Sequence, residues 1–327
     1  MITYLVRRAI YSIILLFAVS IVGFIIIELP PGDFLTIRIV ELQERGDRSA
    51  EQHIEELRAR YGLDKPEYMK YFIWITHFIR GDFGESFRYE EPVSNLVGER
   101  IGLTVALSLS TLIFTWMLAI PIGVYSATHQ YSIGDNIFTF LGFIGLATPN
   151  FLLALIGMFI SVYYFNVSVG GLFSPEYAKA AWSFAKVLDL MKHIWIPVVI
   201  IGTAGTCSLI RIMRGNLLDI LGQQYVMTAR AKGLKEALVV WKHAVRVAIN
   251  PLISTLGMSL PGILSGGALT EIVLNLPTAA PLYLKALQDQ DMWLAGFFLM
   301  FYAIFLVIGN FLADITLAQV DPRIRYD

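Results

Sequence analysis

The chain has 327 residues, of which 56% are hydrophobic and only 16% are charged, and its mean hydropathy is +0.63. Soluble domains usually carry about 25% charged residues, so this composition excludes a water-soluble enzyme, and it is too apolar for a disordered chain. A formal net charge of −1 provides no electrostatic basis for binding nucleic acid. The single cysteine, Cys207, lies in an apolar stretch and is interpreted as a small buried side chain. The class that remains is a polytopic, all-α membrane protein.

Six segments contain the roughly 20 apolar residues that a helix needs to cross a bilayer. These predicted spans are 9–28, 103–127, 137–165, 194–213, 252–274 and 293–313. The first span follows Arg7 and Arg8, as the apolar part of a signal peptide would. However, its apolar run is longer than that of a signal peptide, and no small-residue cleavage site follows it. We therefore predict an uncleaved first helix.

The distribution of Lys and Arg predicts that both termini are cytoplasmic. With the N-terminus inside, eleven basic residues lie in the inside segments and four in the short outside loops. This orientation divides the chain into four parts. They are the N-terminus and first span at 1–28, an external loop with short helices at 29–102, a five-helix transmembrane core at 103–318 and a cytoplasmic tail at 319–327. The core includes a cytoplasmic loop at 214–250.

The external loop contains two predicted short helices. A capping-box pattern at Ser49–Gln52 begins the first, which runs to about Tyr61. The second runs from Pro66 to Arg80, and Gly81 is placed to end it. It carries a dense set of aromatic and aliphatic side chains, namely Tyr68, Tyr71, Phe72, Trp74, Ile75, Phe78 and Ile79. These favour either an element in the membrane interface or packing against neighbouring spans, and the sequence leaves both open.

The cytoplasmic loop at 214–250 is net basic and too long for a tight turn. Residues Gln223 to Lys232 predict a short helix, and Gly233 is suited to end it because glycine adopts positive φ freely. A short helix held along the membrane surface by its flanking helices is suited to act as a mechanical lever. A basic juxtamembrane loop that touches anionic lipid is the alternative.

Residues Tyr225 to Leu234 resemble the EAA-type cytoplasmic loop of ABC importer permeases. More narrowly, they are similar to the T-A-R-A-K-G-L form found in the dipeptide/oligopeptide/nickel permease family. Other stretches that resemble this family follow in chain order, and they are Tyr4 with Arg7-Arg8, Pro31-Gly32-Asp33, Tyr61–Pro66, Gly81–Ser86, Asn250-Pro251, Gly266-Gly267 to Glu271, and Asp321–Arg325. Because the ordered set runs from end to end, the chain is identified as a member of this family. Its long first external loop is similar to that of the first of the two permease subunits.

The resemblance implies a type I ABC importer permease-like fold with six transmembrane helices, in the inner membrane of a bacterium or archaeon. It implies a non-catalytic subunit whose partners are a second homologous permease, two cytoplasmic ATPase subunits, an external solute-binding protein and membrane lipid, with no nucleic acid. ATP and Mg are expected in the ATPases, since this chain has no phosphate-binding loop motif. The residues that the resemblance assigns to the ATPase-coupling loop are Tyr225, Met227, Thr228, Ala229, Arg230, Ala231, Lys232, Gly233 and Leu234.

Two positions depart from the family pattern. Met227 stands where the family usually has arginine. After Glu271, the family usually has aromatic-x-Trp-Pro-Gly. This chain has Leu274-Asn275-Leu276-Pro277-Thr278 instead. The second departure lies near the expected outer mouth. The cargo therefore stays open among peptides, oligosaccharides and nickel chelates.

Glu271 lies inside or near the outer end of the predicted fifth span, where ionisable side chains are costly and usually functional. It is expected either to face a polar cavity or to form a structural pair that holds an outer gate. Gly266, Gly267 and Asn275 complete the candidate translocation pathway or gate. Close helix packing is the alternative for the two glycines.

Two other functional classes fit the sequence less well. A self-sufficient secondary transporter or channel favours inverted repeats and charged groups at the membrane midplane, which the sequence does not display. A membrane enzyme needs a cluster of catalytic side chains at one depth. The five histidines are scattered among loops and span ends, so we predict no metal site; they are His53, His77, His129, His193 and His243.

Overall fold

The structure is a computed structural model that describes residues 2–29, 65–165, 170–255 and 267–320. Among these residues, one hairpin pairs β1 (Glu85–Ser86) with β2 (Glu91–Pro92) in antiparallel register. The helices of the described residues are α1 (Ile2–Glu28), α2 (Glu67–Ile79), α3 (Val93–Thr128), α4 (Ile133–Ala147), α5 (Asn150–Phe165), α6 (Phe184–Leu221), α7 (Gln224–Ala231), α8 (Glu236–Leu238), α9 (Val245–Ala248), α10 (Ala268–Val273), α11 (Ala279–Gln288), α12 (Met292–Val320), the π-helical stretch Val239–Ala244 and a helical segment at 250–255. This content confirms the all-α prediction.

Within the described residues, four helices are long and apolar enough to cross a membrane. They are Arg7–Glu28, Val93–Thr128, Phe184–Leu221 and Met292–Thr316. These helices agree with the predicted spans at 9–28, 103–127, 194–213 and 293–313, and α3 and α6 extend well past the predicted limits. The predicted span at 252–274 includes residues 256–266, which lie outside the described residues, so the count of six spans stays a prediction.

The predicted third span, 137–165, is not one helix. It divides at Thr148 and Pro149 into α4 and α5, whose axes meet at 101°. Thr148 is extended, with φ −93° and ψ 120°, because a residue that precedes proline avoids the helical region. The two helices form either one broken span or a re-entrant loop. This corrects the single helix that hydropathy predicts.

The external helix α2 confirms the helix predicted at Pro66–Arg80. Gly81 follows it at φ +79°, the left-handed conformation that commonly ends a helix. The other predicted helix of this loop, at 49–61, lies outside the described residues.

The aromatic side chains of α2 divide between two faces. Tyr71 and Trp74 are buried, and their rings lie 5.5 and 5.9 Å from the ring of Phe24 in α1. Tyr68 and Phe72 are 63% and 60% exposed. Packing against a neighbouring span thus accounts for one face, and the membrane-interface interpretation applies to the other as a prediction.

The chain divides into two compact units. The N-terminal unit comprises Ile2–Leu103 and Thr278–Ile304, and the core unit comprises Thr104–Pro277 and Phe305–Asp327. Each has its own hydrophobic cluster. In the N-terminal unit the largest fully buried side chains are aromatic, whereas the cluster of the core unit joins α3, α6, α7 and the segment from 239 to 252.

In the N-terminal unit, the buried carboxylate of Asp291 joins the hairpin to the start of α12. It accepts hydrogen bonds from the Ser86 hydroxyl at 2.5 Å and from the amides of Arg88 and Leu294, each at 3.2 Å. Burial raises the pKa of Asp291 above its ordinary value. The three donors offset the cost of burying the group, and the bond to Leu294 caps the first turn of α12.

In the core unit, a bidentate ion pair fastens the start of α4 to α6. Arg214 donates from Nε to Oδ1 and from Nη2 to Oδ2 of Asp135, both at 2.9 Å. Local capping places the carboxylate. The Ser132 hydroxyl accepts from the Asp135 amide at 3.1 Å, and Asp135 accepts in turn from the Tyr131 amide at 2.9 Å. The carboxylate is therefore held both by its own helix start and by α6.

Replacing Asp135 by asparagine is expected to destabilise the core unit. Breaking one side of a buried ion pair costs about 3–5 kcal/mol, and we expect the lower end because the Arg214 side chain is 27% exposed. The measurement is the unfolding midpoint in detergent, which falls in Asp135→Asn. The double variant Asp135→Asn/Arg214→Gln recovers part of the loss, since no charge is left without its partner. A single variant that unfolds like the wild type would contradict the assignment.

Candidate functional site

Helix α7 confirms the short helix predicted at Gln223–Lys232. Its side chains Val226 and Ala229 are buried, with 0% and 7% of their surfaces exposed. Being three residues apart, they share one face of the helix. This face belongs to the hydrophobic cluster that includes Met213 and Leu217 of α6. Small apolar side chains thus hold α7 against the body of the core unit.

The rest of α7 and the turn after it are exposed. Met227 is 58% exposed and Tyr225 is 41% exposed. Methionine and aromatic side chains are enriched in protein–protein interfaces, so their exposure here is typical of a surface that contacts another protein. Of the nine residues assigned to the coupling loop, only Ala229 is buried. The eight exposed ones are Tyr225, Met227, Thr228, Arg230, Ala231, Lys232, Gly233 and Leu234. One face of α7 is therefore fixed and the other is available to another protein.

The end of α7 confirms the predicted role of Gly233 as a helix stop. Gly233 has φ +74°. Its amide donates to the carbonyl of Arg230 at 2.9 Å, and the amide of Leu234 donates to the carbonyl of Ala229 at 3.4 Å. These two bonds form the Schellman pattern, which requires a left-handed residue at this position. No atom lies within 4 Å of a Cβ placed on Gly233, so backbone conformation alone favours glycine.

An ion pair closes the turn that follows α7. Arg230 donates from Nη2 to Oε1 of Glu236 at 2.6 Å and from Nε to Oε2 at 3.1 Å. The guanidinium lowers the pKa of Glu236, so the pair is lost at a lower pH than the one at which an ordinary glutamate becomes protonated. Exposed pairs contribute at most about 1 kcal/mol to folding. This one limits the conformations of the turn more than it stabilises the fold.

The core unit contains a cavity of about 330 Å³ that is partly open to its surroundings. Its described lining comes mainly from α3 and α6, with single residues at the start of α5 and in the segments on either side of 256–266. None of the described lining residues is ionisable; they are Thr111, Leu112, Thr115, Trp116, Asn150, Ile201, Gly202, Ala204, Gly205, Ser208, Leu209, Ile212, Thr255 and Gly267. The described wall is therefore neutral, with a few polar groups among apolar side chains.

The structure brings only one of the predicted pathway residues to this cavity. Gly267 lines it, and Gly266 lies outside the described residues. Glu271 is in α10 with 2% of its surface exposed, and it is not among the described lining. Asn275 follows the end of α10 at φ +50°. The carbonyl of the preceding residue, Leu274, accepts from the Gly171 amide at 2.7 Å.

Sequence reasoning missed the polar wall of the cavity, although a signal for it was present. Two residues of the wall, Thr111 and Thr115, continue a helical stripe that begins with Thr104 and Ser108. The four positions are separated by four, three and four residues, which places them on one face of a helix. All four are buried, at 1%, 3%, 1% and 6% exposure. The surrounding apolar residues hide this stripe from a hydropathy average. Within the described part of the chain, no group of three or more His, Cys, Asp or Glu residues is arranged to hold a metal ion.

Comparison with known proteins agrees with this architecture. Residues 119–326 match the family described as "Binding-protein-dependent transport system inner membrane component", and residues 1–108 match its N-terminal family. The oligopeptide transport system permease protein AppB of Bacillus subtilis is 36% identical over 327 residues, the whole of both chains. A putative peptide permease protein of Brucella ovis is 31% identical over 99% of each chain. The oligopeptide transport system permease protein OppB of Mycobacterium tuberculosis is 27% identical over 98% of each chain. The chain therefore belongs to the family of binding-protein-dependent transport system inner membrane components, as a non-catalytic, multi-pass permease subunit of an ABC importer.

Proposed function

We propose that the chain forms half of the translocation pathway of an ATP-driven importer whose cargo is peptide. The observation that carries the proposal is helix α7, which is fixed on one face and exposed on the other. Similarity to permeases named for oligopeptide and dipeptide transport supports peptide as the cargo. A second, homologous permease supplies the other half of the pathway, and an external solute-binding protein delivers the peptide.

In this proposal, the exposed face of α7 docks in a groove of one of two cytoplasmic ATPase subunits. Those subunits bind ATP and Mg and close upon each other. Because Val226 and Ala229 are buried with α6 residues, a displacement of α7 is passed to α6. Coupling requires contacts that differ between two global states. Closure of the ATPases favours the outward-facing state of the spans, and hydrolysis resets the inward-facing one.

The proposed orientation places both termini and α7 in the cytoplasm. The excess of Lys and Arg in the corresponding loops supports it, with eleven basic residues inside and four in the short outside loops. This arrangement puts α7 on the same side as the ATPase subunits, as coupling requires.

The cavity of the core unit forms part of the proposed pathway, with Gly267 in its wall. Glu271, Gly266 and Asn275 belong to the gate that closes the pathway. The burial of Glu271 supports this role, because an acidic side chain that is 2% exposed is costly to retain and usually functional.

Replacing Gly233 by alanine is expected to uncouple ATP hydrolysis from uptake. A left-handed alanine costs about 1–2 kcal/mol, so the turn after α7 is formed correctly less often, by roughly fivefold or more. The matched control is Gly222→Ala at the other end of α7, since Gly222 has φ −81° and accommodates a side chain. The measurement is peptide imported per ATP hydrolysed by the assembled complex in vesicles. Equal ratios for the two variants would argue against a coupling role for α7.

Replacing Glu271 by glutamine is expected to lower peptide uptake. Loss of the charge weakens the buried interactions of this group, and an effect of about 1.4 kcal/mol corresponds to tenfold slower uptake. Glu176→Gln is the matched control, because Glu176 is exposed. Initial uptake rates of the two complexes, normalised to the amount of assembled complex, provide the measurement. Wild-type kinetics in Glu271→Gln would remove this residue from the gate.

A further inference from the structure

Three buried polar atoms in the wall of the cavity have no hydrogen-bond partner among the described residues. They are Oγ1 of Thr111, Nε1 of Trp116 and Oδ1 of Asn150. Two come from α3 and one from the first residue of α5. A buried polar atom without a partner costs about 1–3 kcal/mol. Three such atoms around a single cavity therefore call for a physical explanation.

Other hydroxyl and amide groups of the wall have partners within the protein, as two threonines and Asn150 illustrate. The Thr115 hydroxyl is 3.5 Å from the Gly202 carbonyl, and the Thr255 hydroxyl donates to the Leu252 carbonyl at 2.7 Å. Asn150 itself donates from Nδ2 to the Ile201 carbonyl at 3.3 Å. This bond sets the orientation of the Asn150 amide, and it leaves Oδ1 as the unused acceptor.

We propose that Thr111, Trp116 and Asn150 bind the backbone amide of a peptide in transit. The indole N–H is an obligate donor, the threonine hydroxyl is able to donate, and the amide oxygen of Asn150 is an acceptor. A peptide unit offers the complementary set, with a carbonyl that accepts two hydrogen bonds and one N–H that donates. The inference rests on the proposed function, and it deepens that proposal by naming the part of the cargo that the permease recognises.

The remaining wall fits a ligand recognised through its backbone. No described lining residue is charged, so the described wall offers no ion-pair partner to charged side chains or chain termini. The volume of about 330 Å³ is at the lower end of the range for small-molecule sites. Recognition of a group that every peptide contains allows many sequences to pass, and a few neutral hydrogen bonds hold a solute weakly enough to release it.

The three atoms are covered in the present conformation. Contact with a peptide therefore requires side-chain rotation or separation of α3 from α5, which the opening of a pathway supplies. Threonine reaches a new staggered rotamer by turning its hydroxyl about one bond. The cost of the unsatisfied groups in the present conformation favours such opening when a peptide is present.

The test compares trialanine with its backbone N-methylated analogue in the assembled complex, in vesicles. N-methylation removes the N–H from which Asn150 Oδ1 accepts a hydrogen bond. Uptake of the methylated peptide by the wild-type complex is therefore expected to be roughly three- to tenfold lower than uptake of trialanine. In Asn150→Leu the acceptor is absent, and the penalty for N-methylation shrinks. The solute-binding protein is the same in both complexes, so any preference of its own cancels in this comparison. An equal penalty in both complexes overturns the inference.

The donor side is tested by Thr111→Val, which preserves the shape of the side chain and removes the hydroxyl. Uptake of trialanine is expected to fall roughly three- to tenfold and to return in Thr111→Ser. Thr203→Val, outside the cavity lining, is the matched control. If Thr111→Val transports trialanine as well as Thr203→Val does, the inference fails. This result is decisive even if the Asn150→Leu complex does not assemble, because the two tests are independent. A wild-type complex that imports no peptide at all refutes the proposed function instead.

Discussion

The contact on which the proposed coupling depends most is the burial of two small side chains, Val226 and Ala229, in the cluster that they share with α6. Burial of these residues fixes the position of α7 without covering its other face, because a short helix has room for only two or three inward positions. A looser contact would allow α7 to move alone, and the movement would be lost before it reached the spans. The Schellman stop at Gly233 and the Arg230–Glu236 pair then define where the chain goes next.

In the proposed coupling, a displacement of α6 is passed on to α4 through an ion pair. Arg214 lies in α6, eight residues before the residue that caps the end of this helix, Gly222. It forms two hydrogen bonds to Asp135 in the first turn of α4. An ion pair of this kind is stiff, since two parallel hydrogen bonds fix both distance and angle. Displacement of α7 thus has a continuous physical route to α4. Helix α6 also borders the cavity that we assign to peptide, so the proposed docking helix and the proposed pathway belong to one packed body.

Much of this architecture could be predicted from the sequence. Hydropathy located four of the described spans, because each is a long apolar run, and the helix α7 with its glycine stop followed from local pattern. Pro149 marks a place where the third span is expected to bend, but an apolar run does not encode that the chain turns by 101° there. The pairing of Asp135 with Arg214 was not predictable either, since 79 residues separate them and only folding brings them together. The cavity wall was missed because helix facing depends on neighbours, although the hydroxyl stripe of α3 was visible in the spacing.

The central claim is that the exposed face of α7 contacts an ATPase, and lysine cross-linking tests it most directly. Lys232 and Lys235 flank Gly233 and are exposed. The tagged chain is purified in mild detergent with the products of its neighbouring genes, treated with an amine-reactive cross-linker and analysed by mass spectrometry. We predict recovery of a second permease and of ATPase subunits, with cross-links from Lys232 or Lys235 to an ATPase. Recovery of the folded chain alone, or of ATPases cross-linked only to other lysines, would contradict it.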